Sequence, residues 1–360
     1  MGSSEDLENR RKRIDEIDRK ILELLNERGR IAIEISKLKR ENSFNIYDPA
    51  REREIERNIK RTNPGPLPTD SVLSIFREII SGCRSLQKQI RVAYLGPDGT
   101  FSHQVAFREF GSSAELVPVK GVDDVFEEVK KGRASFGVVP VENSVEGSVG
   151  SVLDAFLKSD LRVSSELFQR VSLFLLSKTG DIEDIEIVAS HPQPLGQSKK
   201  WLSEHLKHVE IRETPSTAKA ASLASRDKRI AAVAGELAAS IYGLKVVERH
   251  IEDSPENTTR FWVIGREHCR PTGLDKTSVV FSLKHEPGAL QKALLPFAES
   301  NINLTKIESR PSKERPWEYA FFVDFEGHTD DEKVKDVLSK VKENCVFLKI
   351  LGSYPVGISD

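Results

Sequence analysis

Along residues 7–38, Leu7, Ile14, Ile17, Ile21, Leu24, Ile31, Ile35 and Leu38 recur in steps built from threes and fours. That spacing predicts one long helix, about 6–41, with an apolar seam of the kind that packs against a partner helix. Arg28 occupies a seam position where an apolar residue is expected. A second helix is predicted over 49–60, with Pro49 in its first turn and Asp48 as its cap. NPGPLP (63–68) reads as a turn, and Thr69 or Asp70 is the expected cap of a third helix carrying Val72, Leu73, Ile75, Phe76, Ile79, Ile80 and Leu86. The texture changes at residue 91. RVAYLGP reads as a strand, and strand–turn–helix units alternate to about 265, the pattern of an α/β domain. Beyond a linker (266–276) the order is strand (277–284), helix (288–300), strands (302–310 and 318–325), helix (330–343) and strand (346–352). That is βαββαβ, a ferredoxin-like order. Three domains are expected, over 5–90, 91–268 and 273–360.

Charge removes some partners. The 54 basic and 56 acidic side chains leave a net charge of -2, which argues for neither nucleic acid nor an anionic membrane. No apolar run approaches the ~18–20 residues that span a bilayer, and MGSSEDLENRR lacks the apolar core of a secretory signal. Cys83, Cys269 and Cys345 are far apart with no CxxC, so reduced thiols in a cytoplasmic protein are expected. His205 and His208 stand at helical spacing without a nearby third ligand and read as an exposed helix face. No metal and no cofactor is expected.

Arg28 has polar company. Lys39 lies three turns on at nearly the same face, and Arg11 lies near the seam one segment earlier. Asp48, Arg51 and Glu52 open the second helix, and Gln87 ends the third. A three-helix bundle could gather these around one pocket. Guanidiniums grip carboxylates bidentately, so two of them plus an ammonium suit a dicarboxylate. Alternatively the charges are solvated and paired with Glu23, Glu27 and Glu34. The order Arg11, Arg28, Lys39, Asp48-Pro-Ala-Arg51-Glu52, Gln87 resembles the all-helical chorismate mutases, across residues 5–90. The resemblance implies an intertwined dimer. Arg28, with Arg11 from a second copy, would hold the two carboxylates of chorismate. Lys39 and Gln87 would donate to the ether oxygen, Glu52 would accept from the ring hydroxyl, and Asp48 and Arg51 would frame the pocket. A pericyclic rearrangement needs no nucleophile and no proton transfer, so restraint and electrostatics suffice. Cys83 departs from the pattern by standing where a hydroxyl residue near a substrate carboxylate is expected; a thiol is a weaker donor.

Four loops of the middle segment set polar residues before helices: GPDGTFS (Thr100), PVENSVEGS (Glu142, Asn143, Ser144), SHPQPLGQ (Ser190, Gln197) and PSTAKAA (Ser216, Thr217). Helix starts favour anions, although ordinary capping uses the same residues. There is no GxGxxG or GxxxxGK[ST] phosphate loop, and His191 reads as structural or ligand-orienting. With NTTRF (257–261), these motifs resemble prephenate dehydratase across about 91–265. The resemblance implies two α/β lobes, like a periplasmic binding protein, with the site in the cleft between them. Thr259 would be the proton donor that helps the ring hydroxyl leave as carbon dioxide departs, with Glu142 a second candidate acid. Thr100, Asn143, Ser144, Ser190, Gln197, Ser216, Thr217 and Arg260 would hold carboxylates or shape the cleft.

EPGALQKAL, INLTKIESRP and PWEYAFFVDFEG resemble the ACT domain of the same enzymes. That implies a phenylalanine site across a dimer interface, with Gly288, Ala289 and Leu290 on one side and Glu308, Ser309 and Arg310 on the other. A module that only dimerises is the alternative. Together the three segments read as chorismate mutase, prephenate dehydratase and phenylalanine sensor in one cytoplasmic homodimer or dimer of dimers. The rival is a non-catalytic, two-lobed amino-acid receptor with a helical dimerisation segment, which leaves Lys39, Asp48, Arg51, Glu52 and Gln87 unexplained.

Overall fold

A computed structural model describes residues 2–41, 47–311 and 319–357; residues 316–318, the start of the PWEYAFFVDFEG motif, lie outside the described residues. The chain forms two compact units. One is built from the helical segments before Ile90 together with residues 109–115. The other contains residues 49–54, 91–108 and the chain from 116 onward. None of the described helices is long and apolar enough to cross a membrane.

In the first unit, α1 (Gly2–Glu41) is a single helix of 40 residues. Pro49 opens α2 (Pro49–Thr62), which belongs to this unit from Ile55 onward, and α3 spans Thr69–Gln87. The expected caps of α3 are already inside it: the N-cap is Pro68, with no side-chain cap bond, and Thr69 Oγ1 instead accepts from Asn63 Nδ2 at 3.2 Å. The helices α1 and α3 meet through a different stripe from the apolar seam. A Cβ on Gly29 would stand 3.3 Å from Leu86 Cδ1, and Ala32 and Ser36 are buried on the same face. The seam itself, Leu7 through Leu38, is 43–63% exposed. Arg84 is buried over the rings of Tyr47 and Phe110 (5.6 and 5.4 Å) and donates to the carbonyls of Glu109 and Phe110.

The second unit begins with an α/β lobe of β1 (Arg91–Leu95), α4 (Phe101–Phe110), β2 (Glu115–Val119), α5 (Val122–Lys130), β3 (Phe136–Asn143), β4 (Gly147–Ser148), α6 (Gly150–Leu157) and β5 (Arg162–Arg170). The chain then crosses to a second lobe: β6 (Phe174–Ser177), β7 (Ile187–Ser190), α7 (Pro192–Gln197), α8 (Lys199–His205), β8 (Glu210–Glu213), α9 (Thr217–Ala224), β9 (Ile230–Ala234), α10 (Glu236–Tyr242) and β10 (Lys245–Glu248). It returns as β11 (Thr258–Gly265), which inserts between β3 and β5. The sheets run β2-β1-β3-β11-β5 and β10-β6-β9-β7-β8. Strand β11 is nearly all apolar after Arg260 because it is central and covered on both faces.

The remainder is β12 (Asp275–Ser282), α11 (Ala289–Glu299), β13 (Leu304–Pro311), β14 (Tyr319–Glu326), α12 (Glu332–Glu343) and β15 (Phe347–Pro355), an antiparallel sheet in the order β13-β14-β12-β15. One face of that sheet carries α11 and α12 over Val279, Phe281, Val323 and Phe325. The other face shares a core with the first lobe, where Val280, Phe322, Leu351 and Tyr354 join Val163, Trp262 and Phe156. The approach is close at Gly352, whose Cβ would stand 2.3 Å from the Val163 carbonyl oxygen.

Candidate functional site

The helical unit brings the predicted residues of α1 and α3 to one crossing. Gly29 abuts Leu86, so their neighbours Arg28 and Gln87, both half-buried, flank the contact; Cys83 is buried one turn before. Lys39 is half-buried three turns beyond Arg28 on α1, and Asp48 is half-buried before α2. Arg11 is exposed, far up the helix. In α2, Glu52 is half-buried, while Arg51 is exposed and pairs with Glu54 at 2.6 Å.

In the two-lobed region the decisive feature is a strand pair. Strands β3 and β11 run antiparallel, with Asn143 opposite Thr259 and Glu142 opposite Arg260. Asn143 Nδ2 donates to Thr259 Oγ1 at 2.9 Å and to Asn257 Oδ1 at 2.7 Å, while its Oδ1 accepts from the amides of Val145 and Glu146. A buried amide with its hydrogen bonds filled in this way fixes Thr259. Ser144 Oγ accepts from the Thr258 amide. Gln197, at the end of α7 in the other lobe, reaches across to Glu146 at 3.4 Å; its Oε1 is buried without a partner among the described residues.

Several predicted anion holders have other employment. Thr100 Oγ1 donates to the Leu95 carbonyl and accepts from His103 N, and Ser216 Oγ caps α9 by accepting from Lys219 N at 3.0 Å. Ser190 Oγ, fully buried, donates to the Val233 carbonyl at 2.5 Å, and Thr217 is buried at the start of α9. His191 caps α7 through its Nδ1. Beside Thr100 lies a cluster without an obvious sequence signal: Tyr94 bonds Asp98 through its hydroxyl and stacks on His103, ring centroids 4.8 Å apart. Burial, then Asp98, raises the Tyr94 pKa, and burial lowers that of His103 against the pull of Asp98. Both are therefore neutral near pH 7.

Family models describe three consecutive regions: chorismate mutase type II over 10–88, prephenate dehydratase over 92–269 and an ACT domain over 277–343. The chain is 50% identical over 355 residues to the bifunctional chorismate mutase/prephenate dehydratase of Aquifex aeolicus, covering 98% of each. The chain belongs to that family. Its likeness to the bifunctional chorismate mutase/prephenate dehydratase of Pseudomonas aeruginosa is 42% over 364 residues, covering 99% of this chain and all of that one. Prephenate dehydratase from Arthrobacter aurescens, solved in complex with L-Phe, is 34% identical with a TM-score of 0.69, over 74% of this chain and 90% of that one.

Against that family background, two expected cleft residues stand corrected. Neighbours on a strand face opposite ways, so the partners of Thr259 and Asn143 along each strand, Arg260 and Glu142, look away from them. Arg260 is 6% exposed. It donates to Glu166 (2.8 Å), Asp324 (2.5 Å) and the Tyr354 hydroxyl (3.0 Å), the last two on strands β14 and β15 of the C-terminal sheet. Glu142 pairs with the ACT residue Lys306 at 3.0 Å. Both side chains are thus engaged on the face opposite to Thr259. Glu142 and Asn143 end β3 and Ser144 opens the turn to β4; they do not lead directly into α6 as the sequence suggested.

The predicted effector residues divide similarly. Gly288 caps α11 with φ 79, a left-handed conformation that favours glycine, and its Cβ position is open. Ala289 is half-buried and Leu290 exposed. On β13, Ser309 faces outward, whereas Glu308 bonds Ser148 and Arg310 lies 3.4 Å from Asp154, both on the dehydratase lobe of the same chain. Of the residues missed by sequence reasoning, Glu166 and Tyr354 lie in no motif, and Asp324 sits inside PWEYAFFVDFEG without being singled out; only the fold reveals their contact with Arg260.

Proposed function

We propose that the helical unit converts chorismate to prephenate, that the two-lobed region converts prephenate to phenylpyruvate, and that phenylalanine, bound at the ACT domain, inhibits the second step. In the first reaction Arg28 and, from a second copy, Arg11 hold the carboxylates. Lys39 and Gln87 stabilise the negative charge that builds on the ether oxygen. The supporting observation for a homodimer is the seam of α1, whose apolar residues stay exposed in a single copy. An exposed apolar surface of that length marks an interaction site, and a second α1 of the same pattern fits it. The widely separated cysteines favour a reducing, cytoplasmic setting.

For the second reaction the carrying observation is the hydrogen bond from Asn143 Nδ2 to Thr259 Oγ1. The ring hydroxyl of prephenate must take up a proton as it leaves with the loss of carbon dioxide. A threonine hydroxyl is a weak acid, and a donor aimed at its oxygen stabilises the charge left when the proton moves. Decarboxylation and aromatisation supply the remaining drive. Ser144 and Gln197 flank the substrate from the two lobes. Thr100, Ser216 and Thr217 shape the cleft by fixing the loops at its helix starts.

Phenylalanine inhibition is tested by titrating the full-length protein with phenylalanine at several prephenate concentrations. Inhibition that persists at saturating prephenate is expected. Complete relief by prephenate would put phenylalanine in the cleft and remove the sensor from this reading.

A further inference from the structure

We propose that Arg260 is a positioning residue, and that through it the ACT domain holds the strand carrying Thr259 in its productive place. The inference rests on the reading of Thr259 as proton donor. Arg260 directly follows Thr259, and the β11–β3 register shifts immediately after it, between Arg260 and Phe261. Its guanidinium joins two domains. On the dehydratase side it bonds Glu166, itself fully buried; on the ACT side it bonds Asp324 of β14 and Tyr354 of β15. Each of those partners is tied again: Glu166 accepts from Lys276 Nζ at 2.8 Å and from the Gly357 amide, Ser278 Oγ donates to Asp324 at 2.5 Å, and the Tyr354 hydroxyl lies 2.5 Å from the same Ser278 Oγ.

The buried charges balance, with Arg260 and Lys276 against Glu166 and Asp324. Next to them Glu142 faces Arg260 at 3.7 Å and Lys306 at 3.0 Å. Burial opposes the Arg260 charge, but Tyr354, Asp324 and Glu166 outweigh it and hold its pKa above the ordinary arginine value. Such a cluster is satisfied only in one geometry, because withdrawing any member leaves a buried charge unpaired. A shift of β14 or β15 therefore drags Arg260, and with it the adjacent Thr259. An effector acts in this way if it binds one arrangement of the ACT sheet better than another. The grip is reinforced at the sheet edge, where Lys306, Glu308 and Arg310 of β13 meet Glu142, Ser148 and Asp154.

Two substitutions in the ACT domain, outside the catalytic machinery, test this in the full-length chain. Asp324→Asn removes the charge opposite Arg260, and Tyr354→Phe removes one oxygen. The kcat and KM for prephenate, the phenylalanine inhibition curve, the thermal midpoint and chorismate turnover are read for both. Expected is a fall in prephenate kcat of about two- to thirtyfold with KM within about twofold, a comparable shift of the phenylalanine curve, and unchanged chorismate turnover. Wild-type kcat and wild-type inhibition in folded variants would overturn the proposal. So would a change in KM alone, which would mark this face as substrate-binding. If Asp324→Asn does not fold, Tyr354→Phe decides on the same terms. Failure of the donor reading is visible separately, as a Thr259→Ala variant with wild-type turnover.

Discussion

Lys39→Ala is expected to lower chorismate turnover by about 10²- to 10³-fold and to leave prephenate dehydration unchanged. The rearrangement breaks a C–O bond without any group taking or giving a proton, so the rate depends on holding the substrate compact and on meeting the charge that develops on the ether oxygen. Among the residues proposed for this site, Lys39 supplies a full positive charge for that oxygen, half-buried on α1. Arg28 and Arg11 serve carboxylates that are charged before and after the transition state, so their loss falls more on KM. The measurement is the loss of chorismate absorbance, with prephenate dehydration assayed on the same sample. Less than about a tenfold fall would be too small for a preorganised donor at the reacting oxygen and would remove Lys39 from the role.

Thr259→Ala should do the reverse. Asn143 would keep its bonds to Asn257 and to the amides at Val145 and Glu146, so the loop stays built and only the proton source is lost. General acid catalysis commonly contributes about 10²- to 10⁴-fold, and a fall of about 10²-fold or more in prephenate turnover is expected. Chorismate turnover is unaffected, and prephenate accumulates. Phenylpyruvate formation at the wild-type rate would place the proton donor elsewhere. Glu142 is poorly suited to replace it, because its carboxylate is engaged by Lys306 on the opposite face of β3.

The secondary structure was largely legible because its signals are local. The three-and-four spacing from Leu7 to Leu38 gave α1, and Pro49 opened α2 where its ring permits. The βαββαβ order appears with boundaries displaced by a few residues. Motif spacing likewise singled out Asn143 and Thr259, whose contact is set by adjacent antiparallel strands. Side-chain direction was less legible. Thr259 and Arg260 are consecutive in one motif, yet the strand turns one toward Asn143 and the other into the ACT interface. That outcome depends on what covers the second face of the sheet, which the motif does not encode. The seam of α1 was readable as apolar, but the face by which α1 meets α3 was not, since it is lined by Gly29, Ala32 and Ser36 instead of large apolar residues. Cap chemistry is ambiguous for a similar reason: Thr100 and Ser216 serve helix starts as they would in any protein.

The sharing of one core between the ACT sheet and the first dehydratase lobe has a practical consequence. Removing residues 272–360 would uncover Trp262 and leave Arg260 and Glu166 without Asp324, Tyr354 and Lys276. Regulation is therefore better probed by substitution in the whole chain than by truncation.

The most direct test of two successive activities in one chain is to give the purified full-length protein chorismate alone and follow chorismate, prephenate and phenylpyruvate together in time. The expected course is loss of chorismate, transient prephenate and a final yield of phenylpyruvate that accounts for the chorismate consumed. Chorismate left intact, or prephenate that accumulates without phenylpyruvate in the unsubstituted protein, would contradict it.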